Sequence, residues 1–193
     1  YTQNFEQIST RVTELEQIGG SRILMQGGVN PDLKLEWYTD LISRLRNSHP
    51  TIDLDCFSPI EIEGIAEVCD LSTSEVLLSL KNAGMHGLPG GGAEMLVDSV
   101  RMDISPKKGS ADNWIRVMRE AQEIGLTTSA TNVIGFGESR ADRILHMDRI
   151  RTAQDNTISS GNVGFTSFIS WPVQLENNSF GARNRGQNRI PVS

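Results

Sequence analysis

Cysteine is scarce in this sequence, and clustered basic residues are absent. The two cysteines, Cys56 and Cys69, make no disulfide framework, and their spacing matches no common zinc or iron–sulfur pattern. The net charge is −6 and no run of Lys and Arg occurs, which argues against a nucleic-acid groove because phosphate binding relies on clustered cations. We therefore predict no nucleic-acid partner and no metal ligands within the chain.

Long apolar runs are also missing. A membrane-spanning helix needs about 18 or more apolar residues, and no run approaches that length. The first residues, YTQNFEQIST, lack the basic region and apolar core of a signal peptide. We expect a cytoplasmic protein with no membrane partner, and 193 residues with 37% hydrophobic side chains are enough for one sizeable core.

The sequence does contain a regular alternation of strand and helix patterns. Residues 4–18 place apolar side chains at helical spacing and stop at Gly19. Five short apolar runs followed by turn residues are typical of strands, and helical patterns follow most of them. The strand segments are SRILMQGG, TIDLDCF, the start of MHGLPGGG, LTTSATNVIGFG and NVGFTSFISW.

Capping residues predict where several helices begin. Ser58 is expected to be an N-cap, with Pro59 in the first turn and Glu61 completing a capping box. Ser72 and Glu75 repeat the box. The segment AEMLVDSVR, directly behind the glycine run of MHGLPGGG, is predicted to form a short helix.

Alternating strands and helices indicate an α/β fold with a parallel sheet. Both a doubly wound sheet and a partial (β/α) TIM-like barrel fit, and five strands cannot close an eight-stranded barrel. We favour the partial barrel, truncated at both ends, with residues 1–175 as its central part. Residues 176–193 are rich in Asn, Gly and Arg, and we expect a loosely ordered tail without helix there.

In either architecture ligands bind at the carboxyl ends of the strands, where this sequence is rich in glycine and polar residues. The candidates for ligand binding are Gly27, Gly28, Ser58, Gly90, Gly91, Gly92, Glu94, Gly135 and Glu138. Asp55, Glu61 and His86 are the candidates for catalysis.

Some of these residues have a simpler explanation that stays open. Gly27 and Gly28 fit a tight turn, and Ser58 fits capping alone. The glycine triplet is harder to explain as a turn, since a turn needs one or two glycines. Three glycines expose consecutive peptide groups to a ligand. The spacing of the glycines and the residues after them matches neither a phosphate-binding loop nor a dinucleotide-binding fingerprint. We therefore favour a neutral or zwitterionic ligand near Glu94.

An ordered series of motifs resembles one known family. The motifs are LMQGGVNPDL, FSPIEI, LPGGGAEMLVDSVR, ISPKK, ATNVIGFGES, DRILHM, IRTAQD and GFTSFISWPVQLEN. Together they resemble the radical S-adenosylmethionine (SAM) enzymes of the futalosine route to menaquinone, and most closely the cyclase branch. The sister branches are aminofutalosine synthase and the deazaflavin (FO) synthase subunit.

The resemblance implies a partial barrel that uses SAM and a [4Fe–4S] cluster to cyclise dehypoxanthine futalosine, with a reductant for the cluster. It also implies site roles. Gly27 and Gly28 match the pair near the methionine amino group, and Glu94 matches the acid after the glycine run. Gly135 and Glu138 match the motif near the adenine.

The sequence departs from the family at four places, one of which is Asn132 and Val133, where the family usually has a Met-Met pair. The CxxxCxxC cluster motif is absent, so we expect its cysteines upstream of Tyr1 and expect the chain alone to be inactive. Asp55 and Phe136 each replace a histidine that the family usually has. A βα-repeat domain that binds a small molecule without catalysis is the alternative to an enzyme.

Overall fold

The computed structural model describes residues 2–177 and 179–183. The strands are β1 Arg22–Met25, β2 Asp53–Cys56, β3 Gly87–Leu88, β4 Thr127–Ile134 and β5 Phe165–Pro172. The helices are α1 Phe5–Gln17, α2 Leu35–Ser48, α3 Pro59–Cys69, α4 Thr73–Ala83, α5 Asp98–Ile104, α6 Ala111–Glu123, α7 Arg140–Ser159 and α8 Ser179–Arg183, with a 3₁₀ turn at Pro106–Lys108. All five predicted strands are present.

The strands form one parallel sheet in the order β1-β2-β3-β4-β5. Asp55 of β2 pairs with Leu24 of β1 on one side and with Gly87 of β3 on the other. A doubly wound sheet reverses its strand order part way across, whereas a (β/α) barrel keeps sequence order. The order therefore confirms the partial barrel and excludes the doubly wound sheet.

The core lies between the sheet and the helices. Alternation along β2 buries Leu54 and Cys56 against the helices and turns Asp53 and Asp55 to the inner face. Trp114 of α6 is fully buried in the same layer. Each fully buried large apolar side chain contributes about 1.5–3 kcal/mol, so this layer fixes the helices against the strands and the strand ends at one rim.

The predicted helix starts are largely confirmed. Ser72 and Glu75 form the complete capping box of α4. Ser58 caps α3 through the amide of Glu61, but the Glu61 carboxylate does not complete the predicted box. Its oxygens accept from Gly27 and from the Ser58 hydroxyl instead. Glu61 therefore connects α3 to the loop after β1.

Two predictions about helix extent are wrong. The helix expected over AEMLVDSVR begins only at Asp98, so Glu94 lies in a loop. Part of the tail expected to lack helix forms α8 at Ser179–Arg183. The rest of the predicted loose tail, residues 178 and 184–193, lies outside the described residues. None of the helices in the described part of the chain is both long and apolar enough to cross a membrane.

Candidate functional site

The loop after β1 is held by a buried carboxylate. Glu61 is 7% exposed, and its Oε1 accepts from the Gly27 amide at 2.9 Å while its Oε2 accepts from the Ser58 hydroxyl at 2.7 Å. A trans peptide directs its C=O opposite to the following N–H, so the Gln26 carbonyl points away from Glu61. A Cβ added at Gly28 would meet nothing within 4 Å. The structure thus brings Gly27, Ser58 and Glu61 together at the rim.

The glycine triplet is packed against the protein itself. A Cβ added at Gly90 would lie 2.3 Å from the Ser129 carbonyl oxygen, and one at Gly91 would lie 2.3 Å from Nε2 of Gln26. Gly92 has φ +76°, which favours glycine. Backbone packing at Gly90 and the left-handed conformation of Gly92 therefore give the triplet a structural explanation besides ligand binding. Ligand binding there stays a prediction.

The carbonyls of this loop are held from the helical side. Trp114 Nε1 donates to Gly91 O at 3.1 Å. Nη1 of Arg101 on α5 donates to Gly92 O at 3.1 Å and to Ala93 O at 2.6 Å. Because these donors come from the outer helices, they turn the carbonyls of residues 91–93 away from the inner face of the sheet.

Glu94 lies at the end of this loop with a positive φ of 44°. Its carboxylate pairs with Lys108, a residue of the ISPKK motif. Its own carbonyl accepts from the Val133 amide at 2.7 Å, which joins the loop to the end of β4. Glu94 therefore lies at the rim as predicted from sequence, with a cation beside it.

The loop after β4 is organised by Glu138, which is buried at 3% exposure. Its carboxylate accepts from the amides of Gly135 and Phe136 and from Nε of Arg143, at distances between 2.8 and 3.1 Å. Both Glu138 oxygens are thus engaged by the chain. The geometry gives Glu138 a role in shaping this loop.

Asp55 and His86 lie away from the rim. Arg22, the first residue of β1, donates to Asp55 at 2.6 Å and to Asp53 at 2.9 Å, and the Asp55 contact raises the pKa of the Arg22 guanidinium. His86 precedes β3, and its Nδ1 accepts from the Leu54 amide at 3.0 Å. These residues form a polar cluster towards the amino ends of the strands, and the structure does not bring them into contact with the rim glycines.

His146 of α7 supports the rim from behind. It is fully buried, and its Nδ1 accepts from the Leu96 amide at 2.9 Å. Burial, with a smaller contribution from Arg101, lowers the pKa of His146 from 6.5 to about 4, so the ring is neutral at pH 7. Sequence reasoning missed His146, Arg101 and Trp114, because all three act on backbone atoms and leave no pattern of paired side chains.

A cavity of about 810 Å³ lies along β1 between α1 and α2. Its lining is largely apolar and reaches the rim at Gly27 and Gly28. Among the described residues no group of three or more His, Cys, Asp and Glu could hold a metal ion. Burial raises the pKa of the Cys56 thiol, which disfavours the thiolate that a metal needs. The described residues therefore do not fit an iron–sulfur cluster.

The fold and the rim first define a class: a parallel half-barrel whose glycine-rich loops meet at the carboxyl ends of its strands. Comparison with known proteins then gives the family. Residues 1–150 match the Radical SAM superfamily, and the chain belongs to it. Enzymes of this family use SAM and a [4Fe–4S] cluster. The resemblance inferred from the motifs is confirmed.

The chain is similar to curated enzymes with more than two different names, among them a 5-amino-6-(D-ribitylamino)uracil--L-tyrosine 4-hydroxyphenyl transferase of Methanococcoides burtonii, at 33% identity over 98% of this chain and 52% of that protein. It is 44% identical to cyclic dehypoxanthine futalosine synthase of Halalkalibacterium halodurans, over 92% of this chain and 46% of that protein. It is 35% identical to aminodeoxyfutalosine synthase of Thermus thermophilus, over 94% of this chain and 47% of that protein. The chain thus spans about half the length of the curated relatives it matches.

A solved structure shows the same fold. The chain superposes on HydG, a maturase of the [FeFe]-hydrogenase, with a TM-score of 0.71 at 15% identity, covering 94% of this chain and 38% of HydG. At that identity the likeness concerns the fold alone. It agrees with the partial barrel.

Proposed function

We propose that this chain is the ligand-binding central part of a radical SAM enzyme that cyclises dehypoxanthine futalosine in menaquinone biosynthesis. The observation that carries the proposal is the 44% identity to a cyclic dehypoxanthine futalosine synthase across 92% of the chain. Aminodeoxyfutalosine synthase is the second candidate, supported by its 35% identity. Both candidates act on a small molecule and need an external reductant.

In this proposal the rim loops bind SAM, which supplies the radical chemistry of the family when bound. Gly27 and Gly28 leave the carbonyl side of their loop open to the methionine ammonium, since the Gly27 amide is occupied by Glu61. Gly135 lies at the adenine end of the ligand, in a loop shaped by Glu138. The described residues contribute to binding and orienting SAM, and they do not themselves fit a cluster.

Glu61 and Glu138 then act by positioning loops. The carboxylate oxygens of both residues accept from backbone amides of the rim. A hydrogen bond to a charged group contributes about 1.5–3 kcal/mol. We expect Glu61→Gln to weaken SAM binding about tenfold or more, because the loop after β1 loses its anionic anchor.

The test uses the full-length protein that contains this chain, reconstituted and reduced without oxygen. We expect 5′-deoxyadenosine together with a cyclised product from dehypoxanthine futalosine. Activity only with the substrate of aminodeoxyfutalosine synthase would replace the first candidate by the second. SAM binding without 5′-deoxyadenosine would favour the non-catalytic alternative.

A matched variant separates the role of Glu61 from a general loss of charge. Glu67 lies on the same helix and is exposed. Glu67→Gln should leave SAM binding unchanged while Glu61→Gln weakens it. Equal binding by both variants would contradict the role proposed for Glu61.

A further inference from the structure

Arg101 is a buried cation held by backbone. It is 1% exposed, and besides its bonds to Gly92 and Ala93 it donates to Gly109 O at 3.1 Å and to Lys108 O at 2.8 Å. Within residues 2–177 and 179–183 no carboxylate lies at ion-pair distance from it. Burying an unpaired charge is costly, so the arrangement needs a reason.

The orientation of the loop peptides supplies one. Trp114 and Arg101 hold the carbonyls of Gly91, Gly92 and Ala93 towards the outer helices. All peptides in the described chain are trans, so the following amides point the opposite way, to the inner side of the rim.

These amides, of Gly92, Ala93 and Glu94, lack a well-formed hydrogen bond to any described residue. A loose turn over Gly91 and Gly92 brings the Ala93 amide towards the Gly90 carbonyl, and the other two amides donate to no group in the described part of the chain. Ala93 is fully buried, and buried N–H groups are nearly always paired. Consecutive amides in a loop with left-handed residues form a typical anion-binding concavity, and both Gly92 and Glu94 have positive φ.

We propose that Arg101 is a positioning residue that turns these three amides towards a carboxylate of the bound ligand. This proposal rests on the proposed function, in which the carboxylate belongs to the methionine part of SAM. The neighbouring loop supports an α-amino acid as the ligand class. In the loop after β1, the side chain of Gln26 lies against Gly91, so the two loops are adjacent. The backbone carbonyl of Gln26 points away from Glu61, where it can accept a hydrogen bond from the ligand's ammonium group. Lys108 pairs with Glu94 and so reduces the repulsion that the Glu94 carboxylate would exert on an anion.

The test compares SAM with decarboxylated SAM, which keeps the ammonium and the sulfonium but lacks the carboxylate. Binding of each is measured calorimetrically on the full-length protein. Wild-type protein should prefer SAM at least about tenfold, the effect of one lost charge-assisted hydrogen bond. In Arg101→Met this preference should disappear through weaker SAM binding, while the affinity for the analogue stays constant.

Two further variants complete the experiment. Trp114→Phe keeps the buried ring but removes the donor to Gly91, so it should also reduce the preference, and it decides the question if Arg101→Met does not fold. Arg116→Met, a half-exposed arginine outside the loop, should retain the full preference.

Equal binding of SAM and the analogue by wild-type protein would overturn this inference and leave the proposed function standing. Equal weakening of both ligands in Arg101→Met and Trp114→Phe would reduce Arg101 to a structural role and also overturn it. Wild-type protein that binds neither ligand would overturn both proposals.

Discussion

The buried ring of His146 predicts an acid-sensitive fold. Burial lowers its pKa from 6.5 to about 4, so between these pH values the unfolded chain binds a proton that the folded chain excludes. Stability therefore rises with pH across this window, is fully present above about pH 6.5 and is lost as the pH falls towards 4. A tenfold difference in proton affinity corresponds to about 1.4 kcal/mol, which gives a loss of about 3 kcal/mol.

His146→Asn isolates this contribution. The Asn amide oxygen can take the place of Nδ1 and accept from the Leu96 amide, but it does not titrate. The variant should be less stable at pH 7.5, because it loses ring packing, by about 1–3 kcal/mol. The difference from wild type should then shrink by about 3 kcal/mol between pH 7 and 4.

The assay is urea unfolding of the full-length protein at several pH values, followed by tryptophan fluorescence. Titrating carboxylates affect both proteins alike and cancel in the difference. Parallel stability curves for the two proteins would refute the reasoning, as would an NMR titration that places the His146 pKa in the folded protein near 6.5.

Two further outcomes follow from the rim loops. Glu138→Gln removes the charge from a buried carboxylate that accepts from three donors. The variant should lose about 2–4 kcal/mol of folding stability, measured as a melting temperature roughly 5–12 °C lower. The control Asp155→Asn, in an exposed ion pair, should lose under about 1 kcal/mol, and equal losses in the two variants would contradict the burial argument. Thermal unfolding should also show how much stability is lost when each glycine is replaced by alanine. In Gly90→Ala the new methyl group would contact backbone, so this variant should lose at least about 2 kcal/mol. Gly91→Ala contacts only a flexible side chain and should lose less, and Gly28→Ala should lose least; the reverse order would show that packing does not explain the triplet.

Patterns confined to one turn or one strand were sufficient to predict most of the fold. Ser72 and Glu75 formed their capping box because both partners lie within the same turn. Glu61 carries the same pattern, yet its carboxylate bonds Gly27, 34 positions away. No local rule contains that alternative donor, the Gly27 amide. The start of α5 was misplaced for a related reason, since tertiary contacts to the carbonyls of Ala93 and Glu94 hold these residues in a loop where a helix was expected.

The rim could be located from sequence, but its construction could not. Glycines and acids after apolar runs indicated which loops meet at the strand ends, and Gly27, Gly92 and Glu94 lie there. The triplet was interpreted as space for a ligand, while much of that space holds Gln26 and Ser129. Arg101 could not be found, because its partners are carbonyl oxygens that every residue possesses.

The two outermost strands have a practical consequence. Within the described residues β1 and β5 each pair on one side only, and β5 is exposed at every position after Phe165. The open edge of β5 exposes the side chains of Phe168, Ile169 and Trp171. Its unpaired backbone groups can form hydrogen bonds with any extended segment, including β5 of a second copy of the chain. Recombinant work on residues 1–193 in isolation should therefore screen early for self-association, and adding charged residues beside β5 is the direct way to suppress it.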